Sequence, residues 1–183
     1  MMRMTKTYVK SVWAAVIATG LVSLGCSSSG VAQDKAQAVP AQCLNIDISP
    51  YTPPEKLAVA HADPSGAKVT TPFSVEIADN EDTREQGLMC RPQLAADQGM
   101  LFEFQNVAER SFWMQNTLIG LDIIYIAPDG RIVSIQKNAK PLDRTPLPSY
   151  GAASGVLEVQ AGLSDKLGLK AGDIVIHPFF HKP

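Results

Sequence analysis

The run Leu121-Asp122-Ile123-Ile124-Tyr125-Ile126-Ala127 constrains the fold more than any other stretch of the chain. It is nearly continuous in apolar residues and rich in β-branched side chains, so it reads as a central strand covered on both faces. Pro128-Asp129-Gly130 is a turn signal, and residues 131–136 are predicted to return antiparallel as the hairpin partner. Just before the run lies the densest stretch of the sequence, residues 110–122, where aromatics, amides and one carboxylate share thirteen positions.

The remaining residues are punctuated at similar short intervals. Phe73, Val75 and Ile77 alternate with Ser74, Glu76 and Ala78, the period of a half-buried strand. Residues 79–89 then carry an Asx cap candidate and first-turn acids, which predicts a short helix that Pro92 ends or redirects. Further strands are predicted at 100–104, 111–115, 156–159 and 174–177, with a second short helix near 164–167. Residues 138–155 hold Pro141, Pro146, Pro148, Gly151 and Gly155 with almost no periodicity, and are predicted to form a long loop of the functional or mobile kind. Strands outnumber helices, hairpins are local and no βαβ spacing recurs. The expected fold is mainly β: an antiparallel β sandwich or barrel-like domain with two short helices, spanning residues 57–183.

The N-terminus carries an address. Arg3, Lys6 and Lys10 precede an apolar stretch from Val12 to Leu24, the pattern of an export signal over residues 1–25. That stretch is shorter than the roughly 20 residues needed to cross a bilayer as a stable helix. It ends Val22-Ser23-Leu24-Gly25-Cys26, which resembles a lipoprotein signal with Cys26 as the lipidated residue, although Ser23 stands where such signals usually carry Leu. Ordinary cleavage after Ala32 is the alternative. Residues 26–56, rich in Ser, Ala, Gln and Pro, read as a flexible tether that stands the domain off a membrane, with Cys43 and residues 44–48 able to dock locally. The expected location is the periplasm, as a membrane-anchored lipoprotein.

Cys43 and Cys90 remain once Cys26 is acylated or removed, an even number for an oxidising compartment. A disulfide between them would close a loop of about 47 residues, worth up to ~4 kcal/mol in the chain-entropy model. Two unpaired thiols, with Cys90 buried as a small apolar residue, is the other reading. Without residues 1–25 the chain keeps 13 basic against 18 acidic residues, a net charge of −5, so the basic footprint of a nucleic-acid partner is absent.

Seven blocks occur in order at close spacing: Gly87-Leu88-Met89 with Arg91, Gly99-Met100-Leu101-Phe102, Ser111-Phe112-Trp113-Met114 with Asn116-Thr117, Leu121-Asp122, Asp129-Gly130, Leu157-Glu158-Val159 with Ala161-Gly162, and Gly172-Asp173. Together they resemble the small prokaryotic family known as domain of unknown function 192. The resemblance covers residues 69–177. It implies a compact, mostly β domain, often exported, with no established activity. Cys90 stands where the family usually has an aromatic and Gly120 where it usually has Pro, which makes a Cys90 bridge a private feature of this chain and loosens the turn before Asp122.

Arg91, Trp113, Asn116 and Asp122, closed over by Tyr150, form the candidate ligand-binding set, suited to a small molecule, glycan or peptide. An indole covers apolar faces while amide and carboxylate groups satisfy hydroxyl or N–H groups. Asp122 shares its strand face with Ile124 and Ile126, so it needs a partner, with Arg91 or Arg110 available, or backbone amides to accept from. The expected function is a ligand-binding or accessory module of the cell envelope, with the membrane as partner through its lipid and no nucleic acid. The alternative is a hydrolase using Asp122 and Glu158 as paired carboxylates. Serine-nucleophile, HExxH, phosphate-loop and dinucleotide patterns are absent. Met89, Cys90, Met100 and Met114 read as core filler rather than a soft-metal site, and His61, His177 and His181 stand in no metal-ligand spacing. No cofactor or metal is expected.

Overall fold

The computed structural model describes residues 38–50, 52 and 54–181; the predicted export signal, Cys26 and the first part of the predicted tether lie outside them. Along the described chain run β1 (Glu55–Ala62), β2 (Lys68–Ala78), α1 (Glu81–Gln86), β3 (Gln98–Phe112), β4 (Leu121–Ile126), β5 (Ile132–Ala139), β6 (Leu147–Gln160), α2 (Leu163–Leu167) and β7 (Ile174–Ile176). The strands form one seven-stranded sheet in the order β5-β4-β6-β3-β2-β1-β7. Its two edges meet at one end: Arg131 bridges Ile174, Ile132 N donates to Asp173 O at 2.8 Å, and Val175 N donates to Gly130 O at 2.7 Å. The sheet therefore curls into the barrel-like domain expected from the sequence, and the contact pairs backbone groups that open edges would expose.

β4 is buried at every position, between β5 and β6. One of its faces sends Ile124 and Ile126 into a core with Val59, Val75, Leu101, Leu157, Val159 and Phe180. Its other face sends Leu121, Ile123 and Tyr125 into a second core with Met100, Phe102, Met114 and Val156, closed over by Leu88, Leu94 and Ile119. Two apolar layers explain why this strand reads as an unbroken apolar run rather than an alternating one.

Three expectations change. β2 and β3 pair in parallel, Ser74 opposite Gln98 and Ala78 opposite Phe102, whereas the sequence reading gives antiparallel pairs. The connection over 79–97, which holds α1, is long enough for the crossover that a parallel pair needs. The predicted strands at 100–104 and 111–115 are one strand, β3, because the polar residues between them bulge with a register shift between Glu103 and Ala108 instead of breaking the ladder. The long loop expected over 138–155 ends at Leu147, where β6 begins. Periodicity is lost there because the strand is irregular: Tyr150 has φ of 52°, and the Ser149 hydroxyl accepts from Arg110 N at 2.9 Å while donating to Gly151 O at 2.6 Å.

Cys43 and Cys90 form a disulfide, their Cα atoms 5.2 Å apart. Around it Gln42 Nε2 donates to Asn116 Oδ1 at 2.5 Å, Gln86 Nε2 to Asp47 O at 3.3 Å, and Ile77 N to Thr52 Oγ1 at 3.1 Å. Residues 42–50 and Thr52, tether-like in composition, are thus fastened beside α1, the turn that follows it and the end of β2.

Candidate functional site

α1 starts cleanly because Asn80 and Thr83 cap it reciprocally: the Asn80 side chain accepts from Thr83 N at 3.0 Å, and Thr83 Oγ1 accepts from Asn80 N at 3.3 Å. Gly87 ends it at φ of 49°, and a Cβ there would lie 3.2 Å from the tip of Phe102. The helix and its turn thereby come close over β3, and between them lies a cavity of about 560 Å³. That volume suits a small organic ligand.

The walls of the cavity are aromatic. Phe102 and Phe112 meet edge to face at 5.0 Å, and Phe112 meets Tyr125 the same way at 6.0 Å. Phe104 lies beneath two guanidinium groups, Arg110 at 3.9 Å and Arg84 at 5.2 Å from its centroid. Arg84 Nη1 is also committed to Glu103 O at 2.9 Å. Trp113, 52 % exposed, stands at the mouth, while Met89, Gln115 and Thr117 complete the lining with Glu81, Arg84 and Glu85 of α1.

Glu158 also lines this cavity and is 4 % exposed. It stands in a cross-strand row with Ile123 on one side and Met100 on the other, and Gly99 lets β3 come close here, since a Cβ would sit 2.6 Å from Glu158 O. Among the described residues its carboxyl has no hydrogen-bond or ion-pair partner. Burial alone pushes its pKa up to about 8. Tyr125, two residues along the neighbouring strand on the same face, has its phenol pushed up by burial and secondarily by Glu158, and donates to Leu147 O.

Of the candidate binding residues, only Trp113 lines this cavity. Asp122 is wholly buried on the opposite face of the sheet. Its Oδ1 accepts from Asn138 N at 2.8 Å and Gly162 N at 3.1 Å, and its Oδ2 from Ser164 N at 2.8 Å, so backbone amides satisfy it instead of Arg91 or Arg110. Arg91 makes a two-pronged pair with Glu76 at 2.6 and 2.8 Å. Asn116, at φ of 57°, accepts from Cys90 N through its carbonyl and donates to Met89 Sδ, which ties the disulfide turn in place. Tyr150 is 78 % exposed and lies outside the cavity lining. Asp122 pairs across the ladder with Val159 and Ile123 with Glu158, so the two carboxylates of the hydrolase alternative point to opposite faces. Glu158 is the residue the sequence reading undervalued. Its apolar neighbours Leu157 and Val159 suggest an outward-facing position, but Val156 and Leu157 together already imply apolar layers on both faces.

A larger cavity, about 740 Å³, lies along β1, β2 and β7, walled by Leu57, Ala58, Pro72, Phe73 and Ile176. Its buried ionisable group, His177, is engaged by Glu55 at 3.5 Å and Glu103 at 3.7 Å, and burial holds its imidazole below the usual range against the pull of Glu55. The smaller cavity is the better candidate because it alone of the two brings an unpartnered carboxyl to an aromatic wall. Among the described residues no three His, Cys, Asp or Glu side chains converge as a metal site would need.

The model of domain of unknown function 192, described as uncharacterized ACR, matches residues 62–177 of the chain. A solved structure from Sinorhizobium meliloti 1021, named as a candidate transcription regulator, is 38 % identical with a TM-score of 0.61, over 68 % of this chain and 95 % of its own. A protein of unknown function from Novosphingobium aromaticivorans DSM 12444 is 34 % identical with a TM-score of 0.63, over 73 % and 99 % respectively. No curated protein matches.

Proposed function

The chain belongs to the family of domain of unknown function 192, and on that premise we propose that it is a ligand-binding module of the cell envelope, exported and held by lipid on Cys26. The observation that carries this reading is the partnerless carboxyl of Glu158 in an aromatic-walled cavity of ligand size. A largely buried carboxyl that opens onto a cavity without a protein partner gains from a ligand that supplies one. The Cys43–Cys90 disulfide and the N-terminal signal pattern both support an oxidising, exported setting. The chain after residue 25 carries a net charge of −5, which gives a DNA-contacting role no basic footprint.

A thermal-shift screen of the purified protein against glycans, short peptides and small metabolites tests the pocket. The expected result is a ligand that raises the melting temperature, perturbs Trp113 fluorescence, and binds about tenfold or more weakly to Trp113→Ala, since Trp is among the side chains whose truncation most often costs binding energy of that size. Ligands that bind Trp113→Ala and Glu158→Gln as well as the parent would place the site elsewhere. The anchor is checked separately by the mass of the mature N-terminus. Acylated Cys26 is expected, and an unmodified chain starting at Gln33 would remove the anchor.

A further inference from the structure

The pocket also constrains the kind of ligand, an inference that rests on the proposed binding role. We infer that the cavity selects a small cation, an ammonium group on an apolar or aromatic body, with Glu158 as its counter-ion. Charge placement argues for it. Glu158 lines the cavity without a partner, and Glu81 and Glu85 add two further carboxylates from α1. Among the described residues Arg84 is the one basic side chain in the lining, its guanidinium held by Glu103 O and by the Phe104 ring, over which Arg110 also lies at 3.9 Å. An anion entering here would meet the Glu81 and Glu85 carboxylates and the buried acid of Glu158. A neutral hydroxyl would hydrogen-bond Glu158 without stabilising its ionised form. An ammonium does both, and the faces of Phe102, Phe112 and Trp113 suit its apolar body and its charge alike.

The titratable groups around Glu158 support the same choice. From β4 comes Tyr125, whose hydroxyl donates to Leu147 O. From β2, one strand beyond Met100, comes Glu76, already neutralised by Arg91. From α1 come Glu81, Arg84 and Glu85. Among the described residues none of these gives Glu158 a positive charge, so a ligand ammonium would be the group that holds it ionised below its raised pKa. Burial pushes the Glu158 pKa up to about 8, which favours the acid at neutral pH, and the cation displaces its proton: carboxylic acid plus ammonium gives an ion pair and one proton released to buffer. Affinity therefore rises with pH through the neutral range.

The test is calorimetry on the full protein with three probes on the same phenethyl body: phenethylamine, 2-phenylethanol and 3-phenylpropanoate, each up to about 10 mM, which resolves millimolar affinities. Phenethylamine is expected to bind at least about tenfold tighter than the alcohol and the propanoate not at all, the difference expected for one charged contact of about 1.4 kcal/mol or more. Its affinity should rise between pH 6 and 8.5, where an alkylammonium stays charged. Enthalpies measured in buffers of different ionisation heat should show close to one proton released per ligand near pH 6.5. Glu158→Gln, confirmed folded by its melting curve, should lose both the preference and the proton release. Equal or tighter binding of the alcohol or the propanoate overturns the cation assignment while leaving the pocket intact. Undetectable phenethylamine binding overturns it as well, and the library screen then decides the pocket by itself. Amine binding unchanged in Glu158→Gln removes Glu158 as counter-ion.

Discussion

Asp122→Ala is expected to cost about 4 kcal/mol of folding stability, because three backbone amides lose their acceptor in a place water does not reach, each such loss being worth roughly 1–3 kcal/mol without strict additivity. The carboxylate joins three separate pieces of chain. Asn138 N belongs to β5, where that residue sits at φ of 55°; Gly162 N and Ser164 N open α2. Neither strand nor helix can supply these donors with another partner, since Asn138 stands off the regular ladder and the first amides of a helix have no intrahelical acceptor. Asp122→Asn is expected to be intermediate, about 2 kcal/mol, because the amide group retains one oxygen but turns an N–H₂ toward one of the donors. Urea denaturation at constant pH measures both, and the alanine variant should lower the melting temperature by roughly 10 °C or more for a domain of this size. Ligand binding per folded molecule should not change, since Asp122 lies on the far face from the cavity. A stability loss below about 1 kcal/mol in Asp122→Ala would mean that its hydrogen bonds are replaced by water and that the carboxylate is dispensable to the fold.

The contrast between Asp122 and Glu158 shows what the sequence could and could not disclose. Both are single carboxylates inside apolar strands, and pattern alone makes them equivalent candidates. What separates them is the chain that covers each face. Above Asp122 come residues 138 and 162–164, distant in sequence, which offer three amides. Above Glu158 come α1, its turn and residues 113–117, which bring rings, a thioether and polar side chains to the cavity but, among the described residues, place no donor within hydrogen-bond distance of the carboxyl. Local signals were legible where one segment decides the outcome. The Asn80 cap, the continuous apolar run of β4, the Pro128-Asp129-Gly130 turn and the short helix near residue 164 are all present where periodicity and turn chemistry place them. The features that were not legible depend on partners. The parallel β2–β3 pair needs the crossover to be seen in space, and the ladder through 147–155 is held by Ser149 side-chain bonds that leave no periodic trace. The disulfide was one of two open readings because spacing cannot show that two cysteines meet. For the same reason Trp113 could be recognised as an outlying aromatic, but not as the mouth of a cavity.

Glu158→Leu is expected to stabilise the protein above neutral pH while abolishing binding, the signature of a group retained for a ligand rather than for the fold. In the unfolded chain this carboxyl titrates near 4.5, and in the folded protein burial raises that to about 8. Between those values the folded state holds a proton that the unfolded state has released, so stability falls as pH rises through the window. Below about pH 4.5 the carboxyl is neutral in both states and contributes no penalty; above about pH 8 it is charged in both and the penalty is complete. Its size is on the order of 3–4 kcal/mol, taking about 1.4 kcal/mol per pH unit and allowing for relaxation around the charge. Leucine at this position continues the row of Ile123 and Met100 and carries no charge to bury. The stability difference between Glu158→Leu and the parent, measured by urea midpoints at pH 5, 7 and 9, should therefore grow with pH. Taking the difference cancels the contribution of other titrating groups such as His177. A saturating ammonium ligand should stabilise the parent at pH 9 and leave the leucine variant unmoved, because only the parent has a charge for it to neutralise. Parallel pH profiles for the two proteins would show that Glu158 finds its own stabilising partner in solution, and with that the reason for placing a ligand beside it would be gone.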